Sequence, residues 1–224
     1  MKEKKIKKNC LRDVDIRSAL LACLSKKHAA KTNTIFIEEL GVCQGRSRAD
    51  VVVVNGLLHG YEIKSDCDSL HHLRNQINFY GKVFDCATLV VGKRLFSQAV
   101  EIIPNWWSII LAQTCSTGLH LSFVRSIRDN PGRDPRALVE LLWRKDAILF
   151  LEERNAARGV RSKPRRFVWD RVCENFSLEE IAERTRVVLK DRVENGLISN
   201  SCGFFAGRKG SPKSSYRRRG RQGC

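Results

Sequence analysis

The sequence predicts an α/β fold in which helices flank a mixed central sheet, followed by a helical extension at the C-terminal end. Two features of the hydrophobic pattern predict this fold. Up to about residue 127, stretches with helical spacing alternate with short apolar runs bounded by turn residues. Beyond that point the apolar spacing is helical throughout. At 224 residues the chain is long enough for one well-buried domain plus an extension.

The first half of the chain reads as a helix, three strands, a helix and a strand, with one more helix and two strands after them. Asn55-Gly56 is a turn signal between the second and third strands. The second helix should be capped by Asp68 or Ser69 and end at Gly81, and Pro104 should stop the third. In chain order, the predicted elements are a helix over 11–24, strands over 34–42, 49–55 and 57–65, a helix over about 69–81, a strand over 86–92, a helix over 95–103, and strands over 107–113 and 119–126.

Three helices are predicted after the turn-rich linker 128–135. Asp134-Pro135 is a helix start for residues 136–153, a shorter helix falls within 164–176, and Ser177 opens a capping box for a helix over 178–196. These helices could contact DNA, mediate dimerisation or form a structural lid. The predicted division of the chain is a basic N-terminal arm (1–10), a core (11–127), a helical extension (134–195) and a basic tail (196–224), whose composition predicts disorder.

The charge balance predicts a polyanionic partner. The chain has 41 Lys and Arg against 24 Asp and Glu, a formal net charge of +17. An anionic membrane surface is the rival explanation, but no apolar run is long enough to span a bilayer, and the N-terminus lacks a signal-peptide core. We therefore expect a cytoplasmic protein that binds nucleic acid, with DNA favoured, and no membrane; a homodimer is possible.

The nine cysteines are scattered singly, with no Cys-x-x-Cys pair and an odd total. This pattern favours neither a disulfide framework nor a four-cysteine zinc site. Cys67 and His71, four residues apart, form only a weak metal candidate with His72, because no distant partner is evident. Together with His28 and His59, these histidines are expected at the surface, and one of two adjacent tryptophans is expected in the core.

Three charged residues stand at the ends of otherwise apolar strands: Asp50 opens one, and Glu62 and Lys64 close the next. An unpaired carboxylate is costly to remove from water, so these charges need partners. Two close carboxylates repel each other unless a cation lies between them, and an oxygen-only site suits Mg²⁺ or Mn²⁺. A neighbouring lysine can orient or help deprotonate a water that attacks a phosphate. The cluster therefore predicts metal-dependent phosphodiester cleavage.

The register of the second and third strands decides whether the two carboxylates meet. A two-residue turn would pair Val54 with Leu57 and put Glu62 on the face opposite Asp50. A three-residue connection with a bulge pairs Val54 with Leu58 instead, and sets Asp50 across from Glu62. We predict the second register, because it brings the charged residues together on one face.

Asp50, a hairpin and then Glu62-Ile63-Lys64 resemble the core motif of the PD-(D/E)XK nuclease superfamily. The resemblance implies a restriction-endonuclease-like core with the order αβββαβ. It also implies a role for each motif residue: Asp50 and Glu62 bind the metal, Ile63 lends its backbone carbonyl to the metal, and Lys64 serves the attacking water.

A second motif resembles the RecB-like members of this superfamily. Gln76 and Tyr80 match their Gln-x-x-x-Tyr pattern, in which both side chains line the active site. Many members carry an upstream glutamate, and Glu38 or Glu39 could fill that place. Because adjacent residues of a strand point to opposite faces, only one of the two is expected to do so.

The resemblance extends over residues 10 to about 195, to a little-characterised bacterial and phage family of predicted PD-(D/E)XK proteins. The chain departs from the superfamily pattern at Ala49, which stands where a proline often opens the motif. The cysteine quartet of iron–sulfur RecB-like nucleases is also missing, so no such cluster is expected.

The expected function is that of a metal-dependent deoxyribonuclease. The alternative is a nuclease-fold protein without catalytic activity that binds DNA or regulates repair, phage biology or defence.

Overall fold

The computed structural model describes residues 11–31, 33–116 and 118–199. Seven helices and six strands are formed by the described residues. In chain order they are α1 (Asp13–His28), β1 (Ile35–Val42), β2 (Ser47–Val54), β3 (Leu58–Lys64), α2 (Leu73–Val83), β4 (Cys86–Gly92), α3 (Phe96–Ile102), β5 (Ser108–Cys115), β6 (Gly118–Arg125), α4 (Pro135–Val139), α5 (Arg144–Glu152), α6 (Arg165–Asn175) and α7 (Leu178–Glu194). The predicted arm, residues 1–10, and most of the predicted tail, from residue 200 onward, lie outside the described residues.

The strands form one mixed sheet in the order β1-β2-β3-β4-β5-β6. The β1–β2, β2–β3 and β5–β6 pairs are antiparallel, whereas β3–β4 and β4–β5 are parallel. Parallel neighbours need a crossover, and α2 and α3 provide the two that this sheet requires. The predicted α/β class, with a mixed sheet flanked by helices, is confirmed.

The two faces of the sheet are covered by different helices. On one face, Ile16, Leu20 and Leu24 of α1 pack with strand residues such as Val51 and Tyr61. Helices α2 to α7 cover the other face, and their buried side chains join those of the strands in one larger core. The C-terminal helices therefore share a hydrophobic core with the sheet.

The predicted three-residue connection between β2 and β3 is confirmed. Val54 pairs with Leu58, and the antiparallel ladder runs from that pair to Val51 and Tyr61. Gly56 has a φ of 123°, in the left-handed region that favours glycine. This register carries Asp50 and Glu62 to the end of the ladder, where the two strands separate.

The single helix predicted over 136–153 is wrong, because the chain breaks it into α4 and α5. Leu141 and Leu142 lie in the turn between them and are 8% and 1% exposed. Burying both leucines requires the chain to change direction, so tertiary packing overrides the continuous helical spacing. The helical extension consequently has four described helices, where three were predicted.

The predicted limits of α2 are also wrong. The helix begins at Leu73 and runs through Gly81 to Val83. The N-cap is His72, without a side-chain cap hydrogen bond, so neither predicted cap, Asp68 or Ser69, caps the helix. Asp68 accepts the Ser65 backbone N–H at 2.7 Å, and Asp66 in the same loop accepts the Arg94 N–H at 2.8 Å. These carboxylates instead fix the loop that connects β3 to α2.

The capping box at the start of α7 is confirmed. The Ser177 hydroxyl accepts the Glu180 N–H at 3.3 Å, and the Glu180 carboxylate accepts the Ser177 N–H at 2.9 Å. Buried Asp85 links this helix to the sheet, because it accepts the Leu58 N–H at 2.6 Å and pairs with Arg186 at 3.2 Å. Nowhere in the described ranges is a helix long and apolar enough to cross a membrane.

Candidate active site

Glu62 is the most deeply buried member of the predicted site. Its side chain is 1% exposed and accepts three hydrogen bonds. Lys64 Nζ and Gln76 Nε2 each donate to Oε1 at 2.6 Å, and the Tyr80 hydroxyl donates to Oε2 at 2.7 Å. The donors compensate for the lost hydration of the carboxylate and hold it in one orientation. Four residues predicted from the sequence to share a site are therefore in direct contact.

Gln76 and Tyr80 reach Glu62 because they lie one turn apart on the same face of α2. Tyr80 is fully buried, and burial together with the neighbouring charge of Glu62 raises its pKa well above the ordinary value. The phenol therefore remains a hydrogen-bond donor at any physiological pH. The buried Oε1 of Gln76 has no hydrogen-bond partner within the described part of the chain.

Asp50 lies next to Glu62, just past the last ladder pair. Its Oδ2 accepts the Ile63 N–H at 2.7 Å, a side-chain bond at the point where the strands part. Its Oδ1 accepts from Arg17 Nη2 at 3.0 Å. Burial, followed by repulsion from Glu62, raises the pKa of Asp50 from 3.8 to about 7, although the Ile63 bond and Arg17 act in the opposite direction.

Arg17, on α1, is the site residue that the sequence interpretation missed. Its Nη1 donates to the Asp50 carbonyl at 2.9 Å and pairs with Glu39 at 2.6 Å, and its Nε pairs with Asp13 at 3.2 Å. The side chain is only 15% exposed. The available signals were its position beside buried Ile16 and its four-residue spacing from Asp13, both of which are common on helices.

The structure places the two upstream glutamates differently. Glu39 has a φ of 57°, which breaks the regular alternation of the strand opposite Asp50. Glu39 lines the cleft and pairs with Arg17, whereas Glu38 is not part of the lining and, among the described residues, contacts the site through Arg17 at 3.5 Å. The alternation on which the prediction rested does not hold at this point, because both carboxylates reach the same guanidinium.

An open cleft of about 530 Å³ lies over these residues. Its lining includes Arg17, Glu39, Asp50, Glu62, Lys64 and Gln76. Among the residues that the structure describes, no three His, Cys, Asp or Glu side chains are grouped as a metal site. Asp50 and Glu62 thus form a two-carboxylate site, and Mg²⁺ commonly binds through one or two carboxylates with water and phosphate as the other ligands.

The metal fit rests on the acceptor capacity of the two carboxylates. A carboxylate oxygen can accept two hydrogen bonds, but Asp50 Oδ1, Asp50 Oδ2 and Glu62 Oε2 each receive only one from the described residues. Each oxygen keeps capacity for a cation. The pKa of Asp50 is raised first by burial and then by repulsion from Glu62, and a divalent ion between the two carboxylates would offset that repulsion.

His59 is not the surface residue that the sequence predicted. It is 8% exposed, stacks on Tyr61 with ring centroids 4.1 Å apart, and bonds to Thr88 at 2.8 Å. Burial lowers its pKa to about 3, so the imidazole is neutral. His71 and His72 are exposed as predicted, and Trp107 is the tryptophan that fills the core.

Comparison with known proteins identifies relatives from phages. A family model described as bacteriophage P4 protein cII matches residues 6–203. Protein cII of Enterobacteria phage P4 is 29% identical over 118 residues, which cover 53% of this chain and 44% of that protein. The match therefore spans less than half the length of this relative. No solved structure matches the chain.

Proposed function

We propose that this chain, which belongs to the bacteriophage P4 protein cII family, is a metal-dependent nuclease that hydrolyses phosphodiester bonds, above all in DNA. One observation carries the proposal: a buried Glu62 held by Lys64, Gln76 and Tyr80, with Asp50 beside it. A carboxylate this well fixed at the edge of an open cleft is suited to bind a cation that touches a substrate. We also propose that the core is restriction-endonuclease-like.

Asp50 and Glu62 would hold the metal, which is Mg²⁺ or Mn²⁺ in this proposal, and the Ile63 carbonyl would add a third oxygen ligand. When bound, the ion would act as a Lewis acid on the phosphate and make bound water more acidic. Glu39 is a further carboxylate on the cleft wall, where it pairs with Arg17 at 2.6 Å, and it would accept a hydrogen bond from a water in the cleft.

Lys64, which lies beside Glu62 in the cleft, would contact the substrate. Its ammonium lies 2.6 Å from Glu62 Oε1 and lines the cleft, so it can donate to a phosphate oxygen or orient the attacking water. Gln76 and Tyr80 are positioning residues here, because both act through Glu62. Their bonds keep the carboxylate from turning away when a substrate enters.

The charge of the chain supports a nucleic-acid substrate. A surplus of 17 positive charges attracts polyanions at long range, with an affinity that falls steeply as salt is added. The open shape of the cleft fits a polymer that passes across it, whereas sites for small ligands usually enclose most of the ligand.

The proposal is tested by incubating the protein with labelled single-stranded, duplex and branched DNA in Mg²⁺, Mn²⁺ or EDTA. We expect wild type to cut in metal only, and Asp50→Asn and Lys64→Ala to lose cutting. Asp129→Asn, at an exposed position, is the matched control and should cut as wild type does. Lys64→Ala leaves a buried charge without its partner, so its folding must be checked by circular dichroism. Asp50→Asn should fold well, and cutting by this variant at the wild-type rate would overturn the proposal.

One observation favours the second candidate, a nuclease-fold protein that binds DNA or regulates a phage or repair process without cutting. Arg17 places a permanent positive charge against Asp50 and Glu39, so part of the acidic cluster is already neutralised. A carboxylate cluster that Arg17 already stabilises needs no metal. DNA binding by wild type without cutting in any metal would make this candidate the better account.

A further inference from the structure

A strongly basic surface lies away from the cleft, where α5 and α6 meet. It comprises the start of α5, the loop that joins α5 to α6, and the first turn of α6. We call this surface the basic face. Its cations are Arg144, Lys145, Arg158, Arg161, Lys163, Arg165 and Arg166. None of them lines the cleft.

Hydrogen bonds from the Arg144 side chain join the start of α5 to the end of the loop that leads into α6. The Arg144 guanidinium donates to the Arg161 carbonyl and, at 3.4 Å, to the Lys163 carbonyl. At the start of α6, the Phe167 N–H donates to the Pro164 carbonyl at 3.0 Å. The start of α5, the end of the loop and the first turn of α6 therefore hold fixed positions relative to one another. The cations that they carry form one surface.

The positive charge of the basic face is largely uncompensated. Arg161 pairs with Glu152 at 2.7 Å, but Arg158, Lys163, Arg165 and Arg166 form no ion pair with any described residue. Arg165 and Arg166 also occupy the first turn of α6, where positive charge is unfavourable to the helix dipole. Exposed like charges repel one another, and a polyanion would relieve that repulsion.

Two half-exposed aromatic rings lie among these cations. Trp143 and Phe167 are each 42% exposed. Lys145 lies 5.3 Å from the Trp143 ring centroid, and Arg166 lies 4.7 Å from that of Phe167. Arg192 already lies over the Trp143 ring, 4.0 Å from its centroid, so only the exposed remainder of that ring is open to a ligand. Arginine forks suit phosphate oxygens, and exposed ring surface can contact bases. This composition favours nucleic acid over a membrane, which would require a broader apolar face.

We infer that the basic face is a docking surface for the sugar–phosphate backbone of nucleic acid. It deepens the proposed function and rests on it for the identity of the polyanion, but binding at the basic face requires no cleavage. The basic face would hold a strand while another part of the same molecule enters the cleft. Its contribution is affinity that does not depend on base sequence.

The test is a quadruple variant, Arg158→Gln, Lys163→Gln, Arg165→Gln and Arg166→Gln, in which all four changes are at exposed positions. Binding to a fluorescein-labelled DNA is measured by anisotropy in EDTA over a range of salt concentrations. We expect the affinity to fall at least about tenfold. The slope of log Kd against log salt should fall by about 3 to 4, since each of four lost phosphate contacts contributes roughly 0.7 to 0.9.

A matched control removes the same charge elsewhere. Lys26, Lys31, Lys93 and Arg128 are exposed positions outside the basic face, and their change to Gln should weaken binding much less. Equal weakening by both variants would overturn the inference, because net charge alone would explain it. Wild-type affinity for DNA in the quadruple variant would also overturn the inference. If this variant kept DNA binding but lost binding to phosphatidylserine vesicles, the basic face would be a membrane-binding surface instead.

The experiments distinguish a basic face that does not bind DNA from a cleft that does not cut it. Asp129→Asn, the control of the cleavage assay, should bind DNA in EDTA with wild-type affinity, because Asp129 lies outside both the cleft and the basic face. The quadruple variant should still cut in metal when DNA is supplied in excess. Absence of cutting in wild type, with binding lost only in the quadruple variant, would refute the nuclease and leave the docking surface standing.

Discussion

Replacing Asp50 by asparagine should make the folded protein more stable at pH 8. Each pKa unit between the folded and unfolded states corresponds to about 1.4 kcal/mol, so the rise from 3.8 to about 7 means that ionisation costs the folded state roughly 4 kcal/mol. Asparagine is never ionised and avoids that cost. The asparagine amide oxygen can accept a hydrogen bond from Ile63 or from Arg17, whereas the carboxylate accepts from both. One hydrogen bond is therefore lost, and we expect a net gain of about 2 to 3 kcal/mol in the free energy of unfolding.

The stabilisation expected for Asp50→Asn depends on pH in a defined way. Between about pH 4 and pH 7 the folded state binds the Asp50 proton more tightly than the unfolded state, so stability from this group falls as pH rises. Below pH 4 the carboxyl is protonated in both states, and the advantage of asparagine should vanish. The free energy of unfolding is measured by urea titration in EDTA at pH 4, 6 and 8.

Asp129→Asn controls for the loss of a negative charge at an exposed position and should leave the free energy of unfolding at pH 8 unchanged. The reasoning is refuted if Asp50→Asn is less stable than wild type at pH 8, or if the difference between the two proteins is the same at pH 4 and pH 8.

Three further predictions concern buried polar groups, one in the site and two elsewhere in the core. Tyr80→Phe removes a donor from buried Glu62 and should lower the free energy of unfolding by about 1 to 3 kcal/mol, measured by urea titration; an unchanged midpoint would contradict this. His59→Gln should remove an acid-dependent loss of about 2 kcal/mol between pH 6.5 and pH 5, because the unfolded state protonates first; a variant as acid-sensitive as wild type would exclude the buried neutral imidazole. Asp85→Asn should cost about 2 to 3 kcal/mol, since Arg186 loses a buried counter-charge, and a thermal melt that matches wild type would rule this out.

The pH effects of Asp50 and His59 have opposite signs over the same interval. Stability from Asp50 falls as pH rises from 4 to 7, whereas stability from His59 rises as pH increases from 3 to 6.5. The wild-type profile can therefore be nearly flat where both groups titrate. Each effect must be measured as the difference between variant and wild type at the same pH.

Much of the site was predictable because its members are fixed by local geometry. Glu62 and Lys64 alternate along one strand, and Gln76 and Tyr80 repeat along one helix, so spacing alone places each pair on a face. The strand register followed from the requirement that Asp50 lie beside Glu62, and the observed Val54–Leu58 pair agrees with it.

The features that were missed depend on contacts distant in sequence. Arg17 joins the site only because α1 packs across the sheet from residues more than twenty positions away. The φ of Glu39 and the break at Leu141 likewise follow from tertiary packing, which the local apolar pattern does not encode. His59 was expected outside because an isolated histidine carries no signal of its buried partner Thr88.

The central claim is that Asp50 and Glu62 together bind a divalent cation. It is tested most directly by calorimetric titration of Mn²⁺ into wild type, Asp50→Asn and Glu62→Gln at pH 8, with Asp129→Asn as control. The structure predicts binding to wild type and to the control, at least about tenfold weaker binding to both site variants, and weaker binding to wild type below pH 7, where Asp50 holds its proton. No binding to wild type, or unchanged binding to both site variants, would contradict the account.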